Sequence, residues 1–170
     1  MNQETLNQII KKIRPIKCIA FDVDGIFTDC KIFMDSSGQW RRTFSIRDGY
    51  GIKRLIEANY KIAVITASKS MDIAERVKVL GIHHFYEGSL DKVPAFESII
   101  KKENILESEM AYMGDDLFDL PLLKRAGFSA TVEDAMDDVV SQVDYIAKRP
   151  AGNGAVREVC DLIYKWGANS

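Results

Sequence analysis

Residues 17–29 read KCIAFDVDGIFTD, an apolar run that stops at Asp22 and is followed by Asp24 and Asp29. Two further apolar runs end in the same manner. KIAVI (61–65) is followed by Thr66 and Ala67, and MAYMG (110–114) by Asp115, Asp116 and Asp119 within GDDLFD (114–119). Carboxylates two residues apart, as in Asp22 and Asp24, can divide two tasks. One attacks as a nucleophile and becomes an aspartyl-phosphate; the other protonates a leaving oxygen and later activates water. Several like charges at one spot raise one another's pKa unless a cation neutralises them. An all-oxygen donor set favours Mg²⁺ over zinc, and a few carboxylates plus a substrate phosphate is a usual way of holding it. Thr66, the backbone N–H groups beside it at Ala67, and Lys92 are donors suited to phosphate oxygens.

These residues can act together only if the fold gathers them. The runs CIAF, KIAVIT, MAYMG and FSATV lack strict alternation, which fits strands covered on both faces; HHFYEG (83–88) and DYIA (144–147) are weaker strand candidates. Between them stand helical patterns: Ile52, Leu55 and Ile56; Ile73, Val77 and Leu80 before Gly81; Val93, Phe96, Ile99 and Ile100; and Leu122, Leu123 and Ala126 after Pro121. Leu6, Ile9, Ile10 and Ile13 suggest an opening helix, and Val159, Leu162, Ile163 and Trp166 a final one. Strand and helix in alternation predict an α/β, Rossmann-like fold: a mostly parallel sheet with helices on both faces. Residues 31–46, with two strand-like arms around DSSG, predict a β-hairpin inserted at about 30–46. In such a sheet ligands bind at the carboxyl ends of the strands, which would collect Asp22, Asp24, Thr66, Lys92, Asp115, Asp116 and Asp119 at one edge.

Each residue also has an ordinary use. Acids at a helix start complement its dipole, whereas Lys92 near a helix start gains nothing from it, so a functional reason for that lysine carries more weight. Adjacent His83 and His84 lack the i, i+4 spacing of a shared metal site and read as loop residues. Arg149 and Arg157 flank a two-glycine turn that is either a plain turn or a carboxylate site.

With 170 residues the chain suits one domain, 1–170, with a tail at about 149–170. It has 46% hydrophobic and 28% charged residues and a net charge of −2, without the basic excess of nucleic-acid binders. No apolar run approaches the length that spans a bilayer and no leader-like start is visible, so a cytoplasmic protein without nucleic-acid or membrane partners is expected. Cys18, Cys30 and Cys160 are too scattered for a zinc site or a disulfide framework and read as reduced packing residues.

DVDG (22–25), the threonine of ITAS (65–68), Lys92 and GDD (114–116) together resemble the four motifs of the haloacid dehalogenase-like phosphatases, in order, over residues 17 to about 160. Within that superfamily RDGYGI (47–52), GDDLFD and GNGAVREVCDLI (152–163) are most similar to the 3-deoxy-D-manno-octulosonate 8-phosphate phosphatases of lipopolysaccharide biosynthesis. The resemblance implies Asp22 as nucleophile and Asp24 as acid/base. It implies Mg²⁺ on Asp22, the backbone carbonyl of Asp24, and Asp115, with Asp116 and Asp119 in support. It raises Arg47, Asp48 and Gly49 as substrate-side residues beside Arg149 and Arg157. Two departures stand out: Ile26, and Ala67-Ser68 where these phosphatases usually read Gly-Arg, which bears on which sugar is bound.

The gaps between motifs hold no room for a cap domain, and an uncapped site leaves water access unless something else closes it. In the family this resembles, hairpins associate in tetramers. Phe33, Trp40 and Phe44 suit such an interface, and a homotetramer is expected. The expected substrate is an acidic sugar phosphate, with a nonulosonate 9-phosphate as the alternative to the octulosonate. A receiver-type signalling domain and an inactive oligomerisation module are more distant readings.

Overall fold

Cys18, Ile19, Ala20 and Phe21 form strand β1 (Cys18–Phe21), and all four are buried. Successive strand residues point to opposite faces, so burying every one requires cover on both sides. The same holds for β6 (Met110–Met113) and β7 (Phe128–Val132), and for β4 (Lys61–Thr66) after its first residue. The two strands with weaker sequence signals, β5 (His84–Glu87) and β8 (Tyr145–Ala147), lie at the sheet's edges and are only partly buried. The computed structural model describes residues 3–168. Its six-stranded sheet runs β5-β4-β1-β6-β7-β8 with every pair parallel.

From β1 the chain moves toward one edge through α2 (Ile46–Glu57) to β4 and through α3 (Met71–Leu80) to β5. It then returns through α4 (Val93–Glu103) to β6, through α5 (Leu120–Arg125) to β7, and through α6 (Asp137–Val140) to β8. Right-handed crossovers in opposite directions lie on opposite faces. Hence α2 and α3 cover one face and α4, α5 and α6 the other. Helices α1 (Gln3–Ile13) and α7 (Ala155–Trp166) join the α2 layer, where α2 packs along α7. The direction reverses at β1, which puts a crevice at the carboxyl end of that strand.

The insert is a hairpin of two short strands, β2 (Phe33–Met34) and β3 (Trp40–Arg41), so its arms pair over less length than the sequence pattern suggested. Its turn is organised by Asp35, whose carboxylate accepts the Ser37 and Gln39 N–H groups and pairs with Arg41, while Gly38 supplies the positive φ of 78°. Only the hairpin and α2 separate β1 from β4, and only α3, β5 and α4 separate β4 from β6, so there is no cap among the described residues.

Two local readings are corrected, and three short elements are added. Cys18 and Cys160 are buried packing residues, but Cys30 is exposed, at a φ of 59°. His84 belongs to β5, with Nε2 2.6 Å from Glu103, while His83 Nδ1 accepts the Ile62 N–H at 3.2 Å. The short helix α6 and the 3₁₀ turns Glu107–Glu109 and Leu117–Asp119 carried no periodic signal. No described helix is long and apolar enough to cross a membrane.

Packing between α2 and α7 is close. A Cβ at Gly51 would stand 3.1 Å from the Arg157 Cα, and Ile52 and Leu55 are fully buried, as are Val156, Val159 and Ile163 across from them. Leu55→Ala is expected to lower unfolding stability by about 2–5 kcal/mol, read from urea denaturation. Lys53→Ala, on the exposed side of the same helix, should change it by less than about 0.5 kcal/mol.

Candidate active site

The Asp22 N–H donates to the Met113 carbonyl (2.9 Å), carrying the β1–β6 pairing one residue past the strand. This fixes the Asp22 side chain at the crevice, 2% exposed. Its Oδ1 accepts the Val23 N–H (2.7 Å) and lies 2.9 Å from Lys92 Nζ. Lys92, fully buried just before α4, also reaches Asp119 Oδ1 at 2.7 Å and stands 4.6 Å from the Phe118 ring centre. Asp22, Asp115 and Asp119 each bring a carboxylate oxygen within 4.8 Å of the others.

Asp119 differs from the other two in having every acceptor direction occupied. Oδ1 takes Lys92 and the Tyr112 hydroxyl (2.6 Å), and Oδ2 takes the N–H groups of Asp115 (3.1 Å) and Asp116 (3.2 Å). It therefore orients Lys92 and the 115–116 backbone. Asp116 caps the 3₁₀ turn by accepting the Leu117 N–H (2.6 Å). Asp115 has the opposite character: its Oδ1 is buried with no hydrogen-bond partner. Gly25, at a φ of 82°, makes room for it, since a Cβ there would stand 1.9 Å from Asp115 Oδ2.

The charge balance follows from this geometry. Burial, then repulsion from Asp119, raises the Asp22 pKa to about 7 against the pull of Lys92. Burial, then repulsion from Asp22 and Asp119, raises that of Asp115 to about 8. One lysine among three acids leaves a negative excess. Two raised carboxyls, one with an orphaned oxygen, are an all-oxygen donor set that fits a hard divalent cation.

Asp24 is half-buried beside this cluster. Burial pushes its carboxyl up, but hydrogen bonds from Arg42 and Ser68 outweigh that and hold it below its ordinary value. Arg42 pairs bidentately, Nε to Oδ1 at 2.6 Å and Nη2 to Oδ2 at 3.0 Å, and the Ser68 hydroxyl donates to Oδ2 at 2.7 Å. Thr66 ends β4 almost fully buried; its Oγ1 accepts the Ser68 N–H (3.1 Å), which leaves the hydroxyl proton to donate elsewhere. Ala67 lies between them, half-buried. Sequence reading missed Arg42 and Tyr112. Nothing in the hairpin's Arg41-Arg42 pair separates a site arginine from a surface one, and Tyr112 reads as one more apolar strand residue.

The five substrate-side residues do not join this cluster. Arg47, Arg149 and Arg157 line one cleft with Gly154, Glu158 and Asp161, and Arg157 Nε is paired with Asp161 at 2.7 Å. Asp48 is given a different task. Fully buried, it accepts the Gly154 N–H (3.1 Å) and the Arg157 N–H (2.8 Å), so it caps α7 from α2. Gly49 is also buried, where a Cβ would stand 2.4 Å from the Arg76 guanidinium.

The family model for haloacid dehalogenase-like hydrolases matches residues 81–159. The 3-deoxy-D-manno-octulosonate 8-phosphate phosphatase of Escherichia coli K12 is 38% identical over 155 residues, covering 91% of this chain and 82% of that protein. The same phosphatase from Moraxella catarrhalis, solved with a magnesium ion, a phosphate ion and a KDO molecule, superposes with a TM-score of 0.92. It is 40% identical, with 96% of this chain and 94% of that one covered. A haloacid dehalogenase superfamily hydrolase structure from Legionella pneumophila gives a TM-score of 0.93 at 37% identity, covering 96% and 90%.

The raised carboxyls set a pH dependence of stability. An acid whose folded pKa lies above its unfolded value contributes no penalty below about 4, and loses stability as pH rises toward the folded value. For Asp22 and Asp115 that window runs from the ordinary 3.8 up to about 7 and about 8. A cation relieves the repulsion and binds only the ionised forms. Adding Mg²⁺ should therefore raise the melting temperature more at pH 8 than at pH 5, and Asp115→Asn should remove most of that rise in differential scanning fluorimetry.

Proposed function

Because the chain belongs to the 3-deoxy-D-manno-octulosonate 8-phosphate phosphatases of the haloacid dehalogenase-like hydrolases, we propose that it hydrolyses 3-deoxy-D-manno-octulosonate 8-phosphate with Mg²⁺ as cofactor. The observation that carries this reading is the buried Asp22–Lys92 pair beside the unpartnered Asp115 oxygen, at the carboxyl end of β1. Mg²⁺, held by the carboxylates of Asp22 and Asp115 and the backbone carbonyl of Asp24, would supply the positive charge that lets an anionic nucleophile meet an anionic substrate.

The remaining work belongs to the chain. Val23 N–H and Lys92 hold Asp22 Oδ1, leaving Oδ2 to attack phosphorus. As the Asp22–phosphorus bond forms, the bond from phosphorus to the sugar oxygen breaks, and Asp24, which takes up a proton from solvent once its Arg42 and Ser68 donors are released, gives that oxygen the proton. Asp24 then takes a proton from water, whose oxygen displaces Asp22 and releases inorganic phosphate. The Thr66 hydroxyl, the Ala67 N–H and Lys92 stabilise the phosphoryl oxygens. Arg149 and Arg157, with Arg47 in the same cleft, are candidates for further contacts to the sugar.

A panel of phosphorylated sugars, assayed with Mg²⁺ and with EDTA, tests the reading. Octulosonate 8-phosphate should stand at least about tenfold above neutral hexose phosphates in kcat/KM, with turnover lost in EDTA and in Asp22→Asn. A nonulosonate 9-phosphate ranking first would reassign the substrate, and full turnover by Asp22→Asn would overturn the nucleophile.

Ile32, Phe33, Met34 and Trp40 are each at least half exposed on the hairpin, an apolar face that would close an uncapped site if covered by further copies of the chain. We place the active form as a homotetramer on that ground. Three free cysteines suit a reducing, cytoplasmic setting. Sedimentation velocity should give a tetramer that Trp40→Glu dissociates; an active monomer at assay concentration would remove this assignment.

A further inference from the structure

Asp24 has more donors than it can share with a substrate. Oδ1 accepts from Arg42 Nε (2.6 Å) and Thr28 Oγ1 (3.4 Å), and Oδ2 from Arg42 Nη2 (3.0 Å) and Ser68 Oγ (2.7 Å). An ionised carboxylate offers about four lone-pair directions. All are taken, so a leaving-group oxygen reaches Asp24 only by displacing a donor.

The three donor side chains are not equally placed to yield. Thr28 is fully buried and its one hydroxyl proton is shared between Asp24 and the Val23 carbonyl (3.4 Å each), while Ser68 is tied by its N–H to Thr66 (3.1 Å). Arg42 alone is charged, occupies both oxygens at once, and arrives from the hairpin. The hairpin is seated by the Arg42 N–H on Asp72 Oδ2 (2.8 Å), a contact that does not involve the guanidinium. Moving the guanidinium away from a carboxylate without replacement would forfeit a charge-assisted bidentate pair. A second carboxylate replaces the Asp24 pair; the guanidinium's other contacts are to neutral hydroxyls or long, Nη1 to Ser70 Oγ (3.1 Å) and Asp72 Oδ1 (3.5 Å) and Nη2 to Ser68 Oγ (3.1 Å).

We propose, resting on the phosphatase reading above, that Arg42 selects the substrate: its guanidinium passes from Asp24 to the carboxylate of an acidic sugar phosphate, which frees Asp24 for the leaving oxygen. Only hydrogen bonds are exchanged in this step. The groove around Arg42 has the matching chemistry, with cationic Lys69, the Ser68 and Ser70 hydroxyls, and apolar Met71 to lie against a sugar ring. A neutral sugar phosphate brings no anionic acceptor other than its phosphate and leaves the clamp on Asp24 closed.

The test measures kcat and KM for the wild type, Arg42→Ala and Arg42→Lys on octulosonate 8-phosphate and on a neutral hexose 6-phosphate. In Arg42→Ala the acidic-to-neutral ratio of kcat/KM should fall about 10- to 100-fold, the range of a hydrogen-bonded charge pair, with the larger KM rise on the acidic substrate. Arg42→Lys, a point charge without the planar fork, should recover part of the ratio. An unaltered ratio, or equal losses on both substrates, would make Arg42 a structural prop and overturn the proposal. A second measurement needs no variant: free octulosonate should inhibit the wild type at least about tenfold more tightly than its methyl ester, and equal inhibition would also count against the exchange. A wild type that prefers the acidic phosphate yet keeps its preference in both variants sinks the role of Arg42 alone. A wild type inactive on both phosphates sinks the phosphatase reading and this proposal with it.

Discussion

The structure turns on like charges held together at the end of a buried strand. Asp22, Asp115 and Asp119 are brought within reach of one another by the register of β1 against β6, and a single fully buried lysine answers them. Such an arrangement is unfavourable in isolation: desolvation and mutual repulsion both oppose ionisation, and they push two of the three acids toward neutrality. It persists because Asp119 is saturated with donors and the rest of the sheet is well packed around it. The electrostatic strain is concentrated on Asp22 and Asp115, where a divalent cation and an anionic substrate would relieve it. Stability given up there is affinity held in reserve.

Around that centre the fold supplies two further layers of control. One is the hairpin, which has little pairing of its own but inserts Arg42 between Asp24, Ser68, Ser70 and Asp72. The acid/base candidate is thereby governed from a segment outside the main sheet. The other is the junction of α2 and α7, where Asp48 accepts two N–H groups at the start of α7. That bond also settles the loop before α7, whose Gly152 N–H reaches the Ile26 carbonyl (3.1 Å) within the loop after β1. The arginine cleft on α7 and the carboxylate cluster are thus joined through backbone, although they share no lining residue.

The alternation of short apolar runs and helical patterns carried most of the fold because a parallel sheet covered on both faces requires it. The weaker signals of β5 and β8 reflect their edge positions, where partial exposure relaxes the demand for apolar residues. The 3₁₀ turn at Leu117–Asp119 gave no periodic signal because its single turn is set by side-chain caps. Lys92 could be singled out because a cation gains nothing from a helix start, but its burial among acids could not. Asp48 could not be placed for a related reason. A carboxylate in RDGYGI looks the same whether it meets a substrate or caps a helix more than a hundred residues later in the chain.

By itself, the sequence determined the order of the main strands and helices and the place of the acids at strand ends, since both depend on residue type and local spacing, and the likeness of its motifs to known ones pointed to the family. Tertiary structure decided the pairings. It joined Arg42 to Asp24 across 18 residues, Lys92 to Asp119 across 27 and Asp48 to Arg157 across 109. Hydrogen bonds of that span depend on where crossovers return the chain and on which side chains lose their water, and local periodicity encodes neither.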